Sequence, residues 1–167
     1  MQIEKLKVDT DGARELLRHT LATLAYRAAK ALRNAPAGFE NFAVCETSRT
    51  PGQILAHLAD LMDWAVSIAR GKQEWRDSPS IAWELGVSRF FAALQSLDQF
   101  FASDQPLSVP CAALFQGAIA DAFTHVGQIA MMRRIAGSPV RGENYFRAEI
   151  VIGRVGPEQS APHREFD

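Results

Sequence analysis

Apolar side chains recur at spacings of four and three along four stretches of the chain, a period that predicts four helices. In the first, from about Thr10 to Arg33, Leu17, Leu21, Leu24, Ala28 and Ala31 form one stripe, and Asn34, Pro36 and Gly38 stop it. The second opens with Thr50 as N-cap and Pro51 at the first helical position, where a missing N–H costs nothing, and ends near Gly71. Its stripe is Ile54, Leu58, Leu61, Ala65 and Ile68. The third follows Ser78-Pro79-Ser80 and carries an unbroken seam of Trp83, Val87, Phe90, Leu94, Leu97 and Phe101. The fourth lies between Pro110 and Ile135, closed by Gly137 and Pro139. Its seam reads Leu114, Ala118, Asp121, His125, Gln128, Met132, so three consecutive positions expected in the core are polar.

The pattern predicts an all-α fold, a four-helix bundle in one domain over residues 1–152. Within it, 141–152 is expected to pack on the bundle as a short helix, and 153–167 to be a polar, poorly ordered tail. A length of 167 residues and 47% hydrophobic content suffice for one sizeable core without staples. Mixed charges summing to −1 exclude a basic footprint for nucleic acid or an electrostatic membrane surface. The longest uncharged stretch, 105–120, is broken by Pro106, Pro110 and Gln116 and falls short of the ~20 apolar residues of a spanning helix, so no membrane partner is expected. Two cysteines, Cys45 and Cys111, are too few for a disulfide scaffold, and the first residues lack a basic segment followed by an apolar run. Both features predict a cytoplasmic protein.

The chemistry sits on the polar seam. An ionisable group inside a bundle costs several kcal/mol unless it is paired or holds a metal. Asp121 and His125, one helical turn apart, lie about 40° apart on one face with roughly 6 Å between Cβ atoms, a bite that suits two ligands of one ion. On the second helix His57 lies within about 40° of Leu61 and about 20° of Trp64 and Ile68, so it points inward and supplies a third ligand. Two imidazoles and one carboxylate leave positions open to water or substrate, as catalytic sites do. The same three residues also fit a hydrogen-bonded Asp–His pair beside a core histidine, and geometry in sequence leaves both readings open.

Two segments resemble a known family. Thr50-Pro51-Gly52-Gln53-Ile54-Leu55-Ala56-His57-Leu58-Ala59-Asp60 resembles the start of the second helix in the DinB/YfiT-like superfamily, and Asp121-Ala122-Phe123-Thr124-His125-Val126-Gly127-Gln128, continuing through Met131-Met132-Arg133-Arg134 to Gly137, resembles its closing motif. The resemblance covers about Leu16 to Gly137. It implies an up-down-down-up bundle, a divalent metal held by three histidines, frequent homodimers, and thiol-dependent transferase or isomerase chemistry. His57 matches the first ligand and His125 the last. Where the commonest pattern has a histidine four residues before the last, this chain has Asp121; related mycothiol-dependent isomerases carry glutamate there. The expected cofactor is a divalent ion, zinc or nickel foremost, with iron or manganese also fitting. The expected partners are a second copy of the chain, a small-molecule substrate and a low-molecular-weight thiol. A metal-stabilised dimeric bundle that binds a ligand without turnover, or serves a stress response, is the alternative, and a metal-dependent hydrolase a second.

Around the ligands, Gln128 is placed to orient a ligand or bound water and Asp60 to hydrogen-bond a ligating imidazole or to be solvated. Trp64, Met132 and Tyr145 are candidate pocket residues, with Met131 beside them and Arg147 as a further residue that could fold over the bundle mouth. Trp83, Phe90 and Phe101 suit a dimer interface as well as a core. Cys111, at a helix start where the dipole lowers a thiol's pKa, lies about 21 Å of helix from His125 and is no Cys–His nucleophile. Cys45 reads as a plain free thiol, His19 and His163 as solvated, and Arg133 and Arg134 as complements to the C-terminal dipole of the fourth helix.

Overall fold

In a computed structural model, which describes residues 10–166, four helices account for most of the structure. Helix α1 spans Thr10–Leu32, α2 Pro51–Ala69 and α3 Trp83–Ala102. The fourth, α4, is composite: Cys111–Leu114, a π-helical turn Phe115–Ile119, then Ala120–Ile135. The first nine residues, assigned to the domain above, lie outside the described residues, as does residue 167.

Local chemistry sets the ends. The Thr50 hydroxyl accepts from the Gln53 backbone N–H while the Gln53 side chain accepts from Thr50 N–H, a reciprocal cap that starts α2 ahead of Pro51. Gly71 (φ 80°) and Gly137 (φ 75°) close α2 and α4 in the left-handed conformation that only glycine adopts without a Cβ penalty. The stripes pack as the spacing predicts: Leu17, Leu21, Leu24, Ala28 and Ala31 of α1, and Trp83, Phe90, Leu94, Leu97 and Phe101 of α3, are buried together. Trp83, Phe90 and Phe101 are thus spent on the chain's own core, which removes them as a dimer surface.

Long-range contacts show which helix ends meet. The start of α1 reaches the end of α3, where Arg14 donates to the carbonyl of Ser103 (2.8 Å). At the opposite end, Trp83 Nε1 donates to the carbonyl of Leu32 (3.3 Å). Helix α3 also meets α2: Arg89 donates to Ala56 O (3.3 Å), and at the far end Arg70 lies over the Phe100 ring. The end of α4 meets the end of α1 through Arg133, and the segment leading into α4 meets the end of α2 where Ser108 N donates to Ala69 O (2.9 Å).

Two expectations are corrected. The tail is not loose: Val155 is buried in the core, and Gly142–Glu143 pairs antiparallel with Glu165–Phe166, a two-stranded addition to the helical fold. The buried Glu143 carboxylate accepts from Tyr26 Oη (2.7 Å) and Lys30 Nζ (2.8 Å), and Lys30 also binds Glu165 (2.7 Å), so charges on α1 hold both strands. Burial first, then the Glu143 carboxylate, raises the Tyr26 pKa far above its ordinary value. The segment expected as a short helix is a single 3-10 turn, Tyr145–Arg147.

The second correction concerns the phase of α4. The buried residues after the π turn are Ala122, Val126, Ile129, Met132 and Arg133: Met132 is buried as predicted, while Ala122, Val126 and Ile129 each stand one residue past the predicted Asp121, His125 and Gln128. A π turn takes in an extra residue and so rotates everything downstream by about 100°. Asp121, His125 and Gln128 therefore border the core on the side of α2 rather than fill its centre.

Candidate metal centre

Helix α2 supplies His57 and α4 supplies Asp121 and His125; one nitrogen or oxygen from each lies within 4.8 Å of the others. Asp121 stands between the imidazoles: Oδ2 is 3.4 Å from His57 Nε2 and Oδ1 is 3.4 Å from His125 Nε2. The two rings are 4.7 Å apart between centroids and nearly perpendicular, at 87°. Their side chains are 19% and 12% exposed, whereas Asp121 is 45% exposed, so the cluster opens to solvent through the carboxylate.

The donor set fits a divalent ion. His125 Nδ1 is 2.8 Å from Gln128 Oε1, which can only accept, so this bond selects the ring forms that carry a proton on Nδ1, and in the neutral one the Nε2 lone pair faces Asp121. A lone pair and a carboxylate oxygen facing each other repel unless a cation or a proton lies between them. Two donors about 2.1 Å from one tetrahedral ion lie about 3.4 Å apart, the spacing found on both sides of Asp121. Gln128, itself exposed, thus acts by fixing the tautomer of His125, as partners of metal-bound imidazoles do.

His57 is held towards its neutral, ligating form. Burial lowers its pKa below the ordinary 6.5, with the His125 and Arg49 charges adding and Asp121 opposing. In metal-free protein the unfolded chain therefore binds this proton more readily than the fold does. The stability His57 contributes is complete above about 6.5 and is lost as the pH falls from there through its lower folded value. Melting temperature measured in EDTA is expected to drop between pH 7 and 5, and to drop less in His57→Gln.

The remaining sequence candidates divide. Met132 is buried beside the centre, and Trp64 is half-buried, packed edge-on against Trp75 with centroids 5.6 Å apart. Asp60 neither touches an imidazole nor is solvated: it is 3% exposed and accepts from Ser78 N (2.8 Å), Ser78 Oγ (2.7 Å) and the Arg89 guanidinium. Burial alone would raise its pKa, but these donors outweigh that and hold the carboxylate below its usual range. Tyr145 packs on α1, against Tyr26 and under the Arg27 guanidinium, and so is not part of the site. Burial raises the Cys111 thiol rather than the dipole lowering it, and Cys45 is exposed, its thiol pKa lowered first by the Thr47 hydroxyl. His19 and His163 are exposed.

One residue of the site escapes the sequence reading. Trp75, in the loop between α2 and α3, lies edge-on to the His57 ring with centroids 5.5 Å apart. Ser67 Oγ ties the loop at Glu74 N (2.9 Å) and Asp60 ties it at Ser78, so the buried Asp60 acts at a distance by holding the segment that covers His57. A tryptophan inside the polar run Lys72-Gln73-Glu74-Trp75-Arg76-Asp77 was the available signal.

The chain matches no family model, no curated protein and no solved structure. Among the described residues, no helix is long and apolar enough to cross a membrane.

Proposed function

We propose that the chain is a metal-dependent enzyme of the DinB/YfiT-like kind, with one divalent ion, zinc or nickel foremost, held by His57, Asp121 and His125. Its reaction on this reading is transfer of a low-molecular-weight thiol to a small electrophile, or isomerisation of such an adduct. The observation that carries the reading is one carboxylate set between two imidazole Nε2 atoms from different helices, 3.4 Å on each side. A divalent ion bound there supplies Lewis acidity that favours the nucleophilic, deprotonated form of a thiol or water.

The chain's own residues divide the remaining work. Gln128 fixes the His125 tautomer, and Trp75 covers the His57 ring. Asp121, the most exposed of the three, leaves the approach open to a small molecule. The meeting of helix ends described above supports an up-down-down-up bundle. Leu16 and Phe115, apolar and exposed on the neighbouring helices α1 and α4, support a homodimer.

The test is turnover by metal-loaded protein with a panel of low-molecular-weight thiols and activated electrophiles. Thiol-dependent loss of electrophile is expected, falling at least about 100-fold in His125→Ala. Metal binding without turnover across the panel would instead favour a ligand-binding bundle, and ester hydrolysis without thiol a hydrolase.

A further inference from the structure

An open groove of about 520 Å³ adjoins the centre, sharing His125 with it. Its walls include Val44, Ile54, Met131 and Ile135, and Arg49 stands on its lining. Val44, Met131 and Ile135 are 47%, 57% and 53% exposed, so the apolar surface faces the groove and solvent rather than the core. The arginines near the bundle ends are of two kinds. Arg14, Arg18, Arg89 and Arg133 each spend the guanidinium on a carboxylate or on backbone carbonyls. Among the described residues, the exposed Arg49, like Arg33 and Arg134, has neither a carboxylate partner nor a side-chain hydrogen bond, and of these three it is the one on the lining of this groove. An unpaired guanidinium beside an exposed apolar wall offers a bidentate oxyanion contact at one end and apolar burial at the other. The volume falls within the roughly 300–1,000 Å³ of small-molecule sites.

We infer that this groove seats the substrate of the His57–Asp121–His125 centre as an amphipathic oxyanion, its carboxylate or phosphate on Arg49 and its apolar body against Ile54, Met131 and Ile135. The inference rests on the reading of that centre as the reactive one. It makes Arg49 a substrate-selecting residue: it sorts anionic from neutral and cationic molecules of the same apolar size.

Isothermal titration with octanoate, octyl phosphate, 1-octanol and octylamine tests this on the full chain, with metal content measured on the same samples. The anions are expected to bind at least about 10-fold more tightly than the alcohol and the amine. Arg49→Met is expected to weaken the anions about 10- to 100-fold and leave 1-octanol unchanged. The comparison of octanoate with octyl phosphate tells which oxyanion the guanidinium prefers. Equal octanoate binding by wild type and Arg49→Met would overturn the proposal, because the carboxylate would then be held elsewhere, the metal included. Arg49-dependent binding in protein that takes up no metal on incubation with zinc or nickel would sink the metal reading and keep the groove. A dimer dissociated by Met131→Glu, together with absence of octanoate binding, would make this face an interface between copies and also overturn the proposal.

Discussion

Replacing Arg133 with methionine is expected to lower the unfolding free energy by about 3–5 kcal/mol, and the melting temperature by roughly 10 °C. Arg133 is only 4% exposed, and among the described residues no carboxylate neutralises it. Its guanidinium instead donates to the carbonyls that end α1, those of Ala31 (3.0 Å), Arg33 (2.8 Å) and Asn34 (3.1 Å). It donates as well to Ser138 O (3.0 Å) and Ser138 Oγ (2.8 Å) just beyond α4. One side chain of α4 thus satisfies the C-terminal end of α1, where unpaired carbonyls carry the negative pole of the helix. Methionine fills much of the same space but donates nothing, leaving these acceptors beside an apolar thioether. Arg134, next in sequence and exposed, is the control: Arg134→Met is expected to change stability by less than about 0.5 kcal/mol. If the pair served only the dipole of their own helix, as the sequence suggests, the two variants would cost about the same. Urea denaturation of both distinguishes these outcomes.

The second large effect is on metal affinity. Alanine at His57, Asp121 or His125 is expected to weaken binding of a divalent ion by more than about 100-fold each, and Gln128→Ala by about 10-fold through the freed His125 ring. The loss is readable as stability. An ion present at about 1,000 times its dissociation constant stabilises the fold by about 4.1 kcal/mol, and a 100-fold weaker site retains only about 1.4. Wild-type melting temperature should therefore rise on adding zinc or nickel, and the rise should shrink in all three ligand variants. All three side chains border the core rather than fill it, so the metal-free variants should keep wild-type helicity by circular dichroism.

Much of this was legible in the chain because it depends on local period and local chemistry. Thr50 and Pro51 mark the start of α2, and the 4–3 spacing of Trp83, Phe90, Leu94, Leu97 and Phe101 marks the buried face of α3. His57 could be placed beside Asp121 and His125 because each faces inward or nearly so on its own helix. The phase of α4 was less legible. A spacing of four and three through Leu114, Ala118 and Asp121 is what an uninterrupted α-helix would show, and nothing in Phe115-Gln116-Gly117-Ala118-Ile119 announces hydrogen bonds that skip a residue. That turn is why Asp121 opens to solvent instead of lying deep in the seam.

What escaped the sequence depends on partners far away in the chain. Asp60 and Arg133 read as ordinary helix residues until Ser78 and Arg89, or the carbonyls of α1, are brought to them by the fold. Trp75 belongs to no periodic element, so no pattern could assign it a face, yet it covers a candidate ligand. The tail reads as polar because its few apolar residues are scattered, but Val155 needs only one cleft, and Glu143 and Glu165 need only Lys30.

Crystallography of the purified protein, with anomalous scattering collected across the zinc and nickel absorption edges, locates the ion and identifies it in one measurement. One anomalous peak per chain is expected, enclosed by His57 Nε2, His125 Nε2 and the Asp121 carboxylate, and absent in His57→Ala. Protein incubated with either ion that shows no peak between these three side chains, or shows its only peak at Cys45, would rule out a metal centre at His57, Asp121 and His125.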